Sequence, residues 1–204
     1  EIREVRTKGL TVISIRDAGN AERIVEQMQN DPFIGPIVNL TTSSKHDVYN
    51  QLQISEVSIA GLKMKGMLDK VIVDHQAKTI HIYDLKCTWS VENFYDEYYL
   101  YRRAYIQGYL YFHAASFWAS EMGYGDYTIL YPKFIVCDST NYMSPLVYGM
   151  SESSMQNAEE GFEHKGRTYP GVYSLIEDLD WAIENDKWNI SKENYINNGV
   201  VKLA

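Results

Sequence analysis

Cysteine is scarce in this chain. Its 204 residues include two, Cys87 and Cys137, too few for a disulfide scaffold or a four-cysteine metal cluster. Cys87 alternates away from its neighbour Lys86 and reads as a small core residue, while Cys137 falls in a separate β-rich run. No apolar run is long enough for a membrane span, and no secretory leader is apparent. Internal repeats, a P-loop and a glycine-rich dinucleotide fingerprint are missing. So are a nucleophile elbow and a zinc motif, which counts against a carbohydrate or peptide hydrolase. Positive charge is in deficit: 19 Lys and Arg stand against 27 Asp and Glu, a net charge of -8. Nucleic-acid affinity comes mostly from neutralising phosphates, so this balance counts against a passive, sequence-independent DNA coat. It leaves room for a single groove served by bound cations and a local Lys/Arg patch. The first residue is Glu1 rather than Met, which reads as a processed, trimmed or incomplete chain.

What is present suffices for a folded core. An apolar fraction of 45% with 13% aromatics argues against disorder, and the length is most simply one domain over residues 1–204. A basic start (Arg3, Arg6, Lys8) followed by LTVISI predicts a short strand or ordered arm. Residues 21–30 predict a short helix capped by Asn20 and stopped near Pro32. DPFIGPI reads as a turn-rich loop and TTSSKHD as a polar one. Residues 51–60 predict a strand that turns at Gly61 into a second, 62–73. The polar turn DHQAK leads to a third, 79–87. Ser90 is a good N-cap for a long, tyrosine-rich helix over about 91–122. Residues 127–138 predict a strand or bent strand pair broken at Pro132. Residues 140–149 read as loop, 151–166 carry mixed helix signal, and 168–171 read as a turn. Ser174 caps a helix over 175–188 that buries Leu175, Ile176, Leu179, Ala182 and Ile183. A short tail ends in a candidate strand over 200–203. The core of the domain is expected over about 51–138, with a helical extension over about 151–190.

The most informative stretch is 61–86, GLKMKGMLDKVIVDHQAKTIHIYDLK. Side chains alternate along a strand, so Ile80, Ile82, Asp84 and Lys86 share a face, with Asp84 and Lys86 side by side at its far end. A turn near residues 74–78 sets Asp69 roughly opposite Asp84. Two carboxylates so placed can share one hard cation, which polarises a phosphoryl oxygen and activates water. The adjacent ammonium offsets developing negative charge. The bland alternative is an exposed Lys–Asp pair at a hairpin end, worth little. Glu56 completes a three-acid cluster if the register allows; otherwise it is an exposed residue paired with Lys63 or Lys65. In the long helix Arg103, Gln107 and Tyr111 recur at four-residue spacing on one face, with Ile106, Tyr109, Leu110 and Phe112 on the buried side. Arg102 and Arg103 are the candidate phosphate contacts, unless Asp96 and Glu97 engage them.

In this order and spacing the residues resemble the PD-(D/E)XK nuclease superfamily. Asp69, in GMLDKV, stands at the first family aspartate; Asp84 and Lys86, in YDLKCT, stand at the (D/E)XK signature. Gln107 and Tyr111, in QGYLY, match the QxxxY element of the RecB-like and phage (RecE- and lambda-type) exonuclease branch. Glu56 matches an acidic position of phage-type members. The match covers residues 56–111, with Leu68 where the superfamily name has proline, an absence shared by many branches. The resemblance implies an α/β (α+β) fold, a central mixed β-sheet flanked by helices with a restriction-endonuclease-like core. It implies a Mg²⁺- or Mn²⁺-dependent deoxyribonuclease, an exonuclease of recombination or repair. Asp69, Asp84, Glu56 and the Leu85 carbonyl would ligate the metal, Lys86 would serve the attacking water, and Gln107 and Tyr111 would support the site. Glu22, Glu26 or His46 is a candidate additional ligand. Duplex DNA with an end is the implied substrate, and a single-strand annealing protein and further copies of the chain are implied partners. The implied location is the cytoplasm of a bacterial or phage-infected cell, with no membrane association. A structure-specific or restriction-like endonuclease and an inactive nucleic-acid-binding module are the alternatives.

Overall fold

The computed structural model describes residues 13–201. Six strands build a central sheet: β1 (His46–Ile59), β2 (Leu62–Asp74), β3 (Thr79–Thr88), β4 (Thr128–Ile129), β5 (Lys133–Asp138) and β6 (Leu146–Gly149). Their order is β1-β2-β3-β5-β6, with β4 pairing β3 beside that path. Strands β1, β2 and β3 run as an antiparallel meander, β4 and β5 lie parallel to β3, and β6 returns antiparallel to β5. The helices are α1 (Ile15–Asn30), α2 (Gly35–Val38), α3 (Ala104–Glu121), α4 (Glu152–Glu160), α5 (Val172–Asn185) and α6 (Lys192–Ile196). A π-helical segment, Tyr95–Tyr101, precedes α3, and a hairpin of β7 (Gly161–His164) and β8 (Arg167–Pro170) follows α4. The architecture is a central mixed sheet flanked by helices, of the α+β kind.

Alternation along β2 and β3 divides the core in two. Val71 pairs with Ile82 and Val73 with Ile80, so these four share a face. With Phe134 and Val136 of β5 they pack against Tyr105, Tyr109, Ala115 and Trp118 of α3. The other face gathers Ile72, Tyr83, Ile135 and Cys137 against Ile24, Met28 and Ile34 from α1 and the turn after it. Coverage on both faces explains the unbroken apolar runs of β2 and β5. Burying a side chain of this size contributes about 1.5–3 kcal/mol, so the central strands are held from both sides.

Several local expectations are corrected. Helix α1 starts at Ile15, and its cap is Ser14, whose Oγ accepts from the Asp17 N–H at 3.0 Å, not Asn20. Residues 10–12 of the LTVISI arm and the last residues of the proposed C-terminal strand lie outside the described residues, while Ile13 and Ser14 lead directly into α1 at Ile15. His46 opens β1 instead of lying in a loop, and 146–149 form a strand that pairs with β5. The region around 168–171 is mostly strand, because the turn sits earlier, at Lys165 and Gly166, which both take positive φ. Helix α5 begins at Val172 with Gly171 as its cap and ends at Asn185, short of Trp188; Ile183 on it and Trp188 beyond it are exposed. Cys87 is exposed, since its face of β3 is uncovered at that end, while its cross-strand partner Cys137 is buried.

The long helix is broken. The Arg102 N–H reaches back five residues to the Glu97 carbonyl at 3.2 Å, the π pattern. Arg103 then takes a left-handed conformation, φ 57°. That break turns α3 across the sheet, so Arg103 caps α3 and does not continue a face with Gln107. The buried side of α3 is Ala104, Tyr105, Gly108, Tyr109, Ala114, Ala115, Trp118 and Ala119; Ile106, Leu110 and Phe112 are only partly buried around it.

Candidate active site

The β2–β3 ladder ends at Lys70 opposite Tyr83. One residue further the same register would oppose Asp69 and Asp84, but there the strands part. Instead the Leu85 N–H donates across the gap to Asp69 Oδ2 at 2.9 Å. An extended residue turns its N–H and C=O to the same flank. The Thr88 carbonyl accepts from Ser139 N–H on the β5 side, so the even-numbered residues of β3 point that way. The Leu85 carbonyl therefore opens into the same gap as the Asp69 carboxylate.

Asp84 is 1% exposed. Its Oδ1 accepts from Gln107 Nε2 at 3.2 Å, and the same amide nitrogen donates to the Tyr111 hydroxyl at 2.8 Å. The Lys86 ammonium lies against Oδ2, yet that oxygen has no hydrogen bond of normal geometry. Burial pushes the Asp84 carboxyl up to about 6; Lys86 pulls it down and the neighbouring Asp69 pushes it further up. Two carboxylates at close quarters resist ionising together, and a shared cation relieves that cost. Burial also raises the Tyr111 phenol; its hydrogen bond from Gln107 opposes this, while Asp84 and Asp69 add to it. The phenol thus stays protonated and, since it accepts from Gln107, its own O–H is free to donate.

Helix α3 reaches the sheet closely because residue 108 is glycine. A Cβ there would meet Met150 Sδ at 2.2 Å and Phe134 Cζ at 3.3 Å, and Phe134 is the cross-strand partner of Asp84. A glycine inside a helix costs roughly 0.5–1 kcal/mol relative to alanine, and here it lets Gln107 touch Asp84. Gly108 was not singled out from the sequence, although an interior helix glycine beside a polar residue was the available signal.

The other expected ligands are elsewhere. Glu56 lies where the β1–β2 register shifts, between Ile54 and Val57. It is exposed and paired with Lys63 at 2.6 Å, some four positions along β2 from Asp69, about 13 Å at strand rise. The bulge turns it outward, so no three-acid cluster forms. Glu22 and Glu26 are exposed on α1, which covers the opposite face of the sheet. His46 pairs with Asp74 at 3.6 Å, at the far end of β2. Among the described residues no group of three or more His, Cys, Asp or Glu is placed to share a metal. The groups that could hold a cation here are therefore two carboxylates and a carbonyl, all oxygen. Such a set suits Mg²⁺, which keeps several waters and takes one or two carboxylates with substrate phosphates. Arg102 and Arg103 are exposed; Arg102 lies 4.5 Å over the Tyr98 ring, and among the described residues neither is ion-paired. Asp96 and Glu97 are occupied by Lys165 and Trp89 instead. A separate cavity of about 110 Å³, lined by Phe94, Tyr99, Phe134 and Tyr148 among others, does not include the carboxylates. No described helix is long and apolar enough to cross a membrane.

No protein-family model and no curated protein matches this chain. Among solved structures it is similar to a crystal structure from Eubacterium rectale named "Putative exonuclease", at 12% identity and a TM-score of 0.48. The alignment covers 91% of this chain and 62% of that one. A likeness of this size carries no argument about activity, which rests on the site itself.

Proposed function

We propose that this chain is a metal-dependent deoxyribonuclease built on a restriction-endonuclease-like core, an exonuclease of the RecB-like and phage-type branch. The observation that carries the reading is the buried Asp84 held between Lys86 and Gln107, with Asp69 beside it across the parted strands. A structural ion pair gains nothing from a second, adjacent carboxylate, whereas a cation site needs one. Asp69, Asp84 and the Leu85 carbonyl would hold Mg²⁺ or Mn²⁺. When bound, such an ion supplies Lewis acidity at the phosphoryl oxygen and lowers the pKa of a water.

The side chains supply the rest. Lys86, 20% exposed at its side chain, can reach an attacking water and offset charge developing on the phosphoryl oxygens. Gln107 holds Asp84 Oδ1 in place and orients the Tyr111 hydroxyl, whose free O–H can donate to a phosphate oxygen. Arg102 and Arg103 are the phosphate contacts of the approaching strand. Processing of DNA ends in recombination or repair, beside an annealing protein and in a homo-oligomer, is the setting this reading implies. Digestion of end-labelled linear duplex, single-stranded and covalently closed circular DNA, with Mg²⁺, Mn²⁺ or EDTA, tests it. Linear DNA should shorten from its ends, circles should survive, and EDTA should stop the reaction. Cleaved circles would make the chain an endonuclease. Absence of cleavage on every substrate would leave a binding module.

A further inference from the structure

Three residues past Lys86, where β3 ends, Trp89 is 50% exposed. The ring is not loose: its Nε1 donates to Glu97 Oε2 at 2.9 Å. Glu97 belongs to the π-helical segment, and its carbonyl receives the Arg102 N–H at 3.2 Å. The Arg102 guanidinium is itself fixed over Tyr98. One short connection between two site-bearing elements, β3 and α3, thus pins an exposed indole and an exposed guanidinium. The backbone there is unusual twice over, in the π turn and in the left-handed Arg103. Geometry of the first kind is rare and concentrates at functional sites.

Resting on the nuclease reading above, we propose that Trp89 is a stacking platform for a nucleobase of single-stranded DNA, including the unpaired strand of a frayed end. The phosphate of that strand lies at the Asp84–Lys86 centre, and Arg102 takes a neighbouring phosphate. Strand rise puts Trp89 within about 10 Å of Lys86, the reach of a few nucleotides. An indole face stacks on any base freed from its pair, so the platform tolerates sequence and rejects intact duplex. A chain of net charge -8 gains little from phosphates alone, and stacking supplies affinity that salt does not screen. Glu97 acts through Trp89 as its positioning residue.

The test is binding of a labelled single-stranded oligonucleotide in Ca²⁺ to wild type and to the Trp89→Ala, Trp89→Phe and Glu97→Ala proteins. A single abasic site is walked along the strand in parallel. Trp89→Ala should bind on the order of 10-fold more weakly. Trp89→Phe should keep most of the affinity and Glu97→Ala an intermediate part. One abasic position should weaken wild type and leave Trp89→Ala unchanged. Equal binding by Trp89→Ala, or an abasic walk without any Trp89-dependent position, overturns the platform. If Trp89→Ala folds poorly, the same walk on Trp89→Phe and Glu97→Ala decides the matter: the sensitive position should be shallower in Glu97→Ala than in wild type, and an unchanged profile in both overturns the platform. Cleavage separates the two readings. A wild type that cuts DNA but binds independently of Trp89 loses only the platform. One that binds through Trp89 but never cuts with Mg²⁺ loses only the nuclease.

Discussion

Two buried charges stand on opposite faces of the central sheet, and the fold treats them oppositely. Lys70 on β2 is 4% exposed. Its ammonium donates to Asn50 Oδ1 at 3.1 Å, to the Val38 carbonyl at 3.4 Å and to the Leu40 carbonyl at 3.5 Å. Three donors meet three acceptors. Asp84 on β3 is as deeply buried, yet one of its oxygens has only an ammonium against it and no regular hydrogen bond. A second carboxylate, Asp69, stands nearby. Burial lowers the pKa of Lys70 and raises that of Asp84, so both are held at a cost. The lysine recovers it by tying α2 and the following turn to the sheet. The aspartate recovers less, and the deficit is what a cation would fill. Buried polar groups that end saturated hold structure together; one left short of partners beside a second carboxylate leaves room for an ion.

Substitution on the two faces should therefore separate activity from stability. The largest effect is expected from Asp84→Asn. Single-turnover cleavage with Mg²⁺ should fall on the order of 10²–10³-fold or more. The protein without metal should be at least as stable in urea as wild type, because the cost of burying the charge, which outweighs the attraction of Lys86, is gone together with the repulsion from Asp69. An Asp84→Asn protein that is clearly less stable would put Asp84 in the same class as Lys70 and dissolve the contrast.

Lys70→Ala should do the reverse. Three acceptors lose their donor and the stem leaves a void, a loss of about 2–4 kcal/mol in urea unfolding. The folded fraction should cleave at close to the wild-type rate. Lys70→Met fills the void without the charge and should recover part of the loss. A Lys70→Ala protein of unchanged stability would show that the three contacts contribute nothing net.

How much of this was legible beforehand depends on which rule governed each residue. Asp69, Asp84 and Lys86 were readable because strand alternation is strict: Ile80 and Ile82 fix the face, and the polar turn at 74–78 fixes the register. Glu56 was misplaced because a β-bulge shifts the parity of β1 between Ile54 and Val57; Gly66, which pairs with Ile54 there, is compatible with a bulge but does not say that β1 carries it. Arg103 was misplaced because the tyrosine-rich run hid a left-handed residue that no glycine or asparagine marks. Lys70 stands beside Asp69 with no sequence signal to mark it as buried. Its acceptors come from residues 38, 40 and 50, and nothing local links them. The gap between β2 and β3, where Leu85 N–H reaches Asp69, opens where the β2 ladder ends at Tyr83 and β3 goes on paired with β5, a long-range arrangement that no local pattern carries.

Gln107→Ala sharpens the same contrast from the helix side. Gln107 donates to Asp84 and to Tyr111 but is not a charge. Of the two hydrogen bonds lost, the one that positions Asp84 bears on the rate and is worth about 1 kcal/mol, roughly a 5-fold drop in single-turnover rate. Urea stability should barely change. A loss as large as that of Asp84→Asn would mean that Gln107 itself touches the reacting phosphate.

The smallest expected effect sets the two faces against each other by pH. His81 points to the Lys70 side of β3, stacked on Tyr83 with ring centroids 6.3 Å apart. Its Nε2 meets Thr79 Oγ1 at 3.1 Å while Nδ1 is buried without a partner. Burial lowers its pKa; Lys133 adds to that, Asp74 opposes it, and His46 adds a little more. Below the ordinary histidine value of about 6.5, the unfolded chain therefore binds a proton that folded His81 resists. Its contribution is present above that value and is lost as pH falls through the lowered one. Asp84 has the opposite sign. Its carboxyl is raised to about 6, so its contribution is present below the ordinary value of about 3.9 and is lost as pH rises through about 6. In EDTA, then, the two slopes partly cancel between pH 7.5 and 5.5. His81→Phe keeps the stacking and removes the proton site, so its stability should rise relative to wild type as pH falls. Asp84→Asn should move the other way over the same range. Parallel urea midpoints for wild type and both variants across these pH values would mean that neither group carries the linkage.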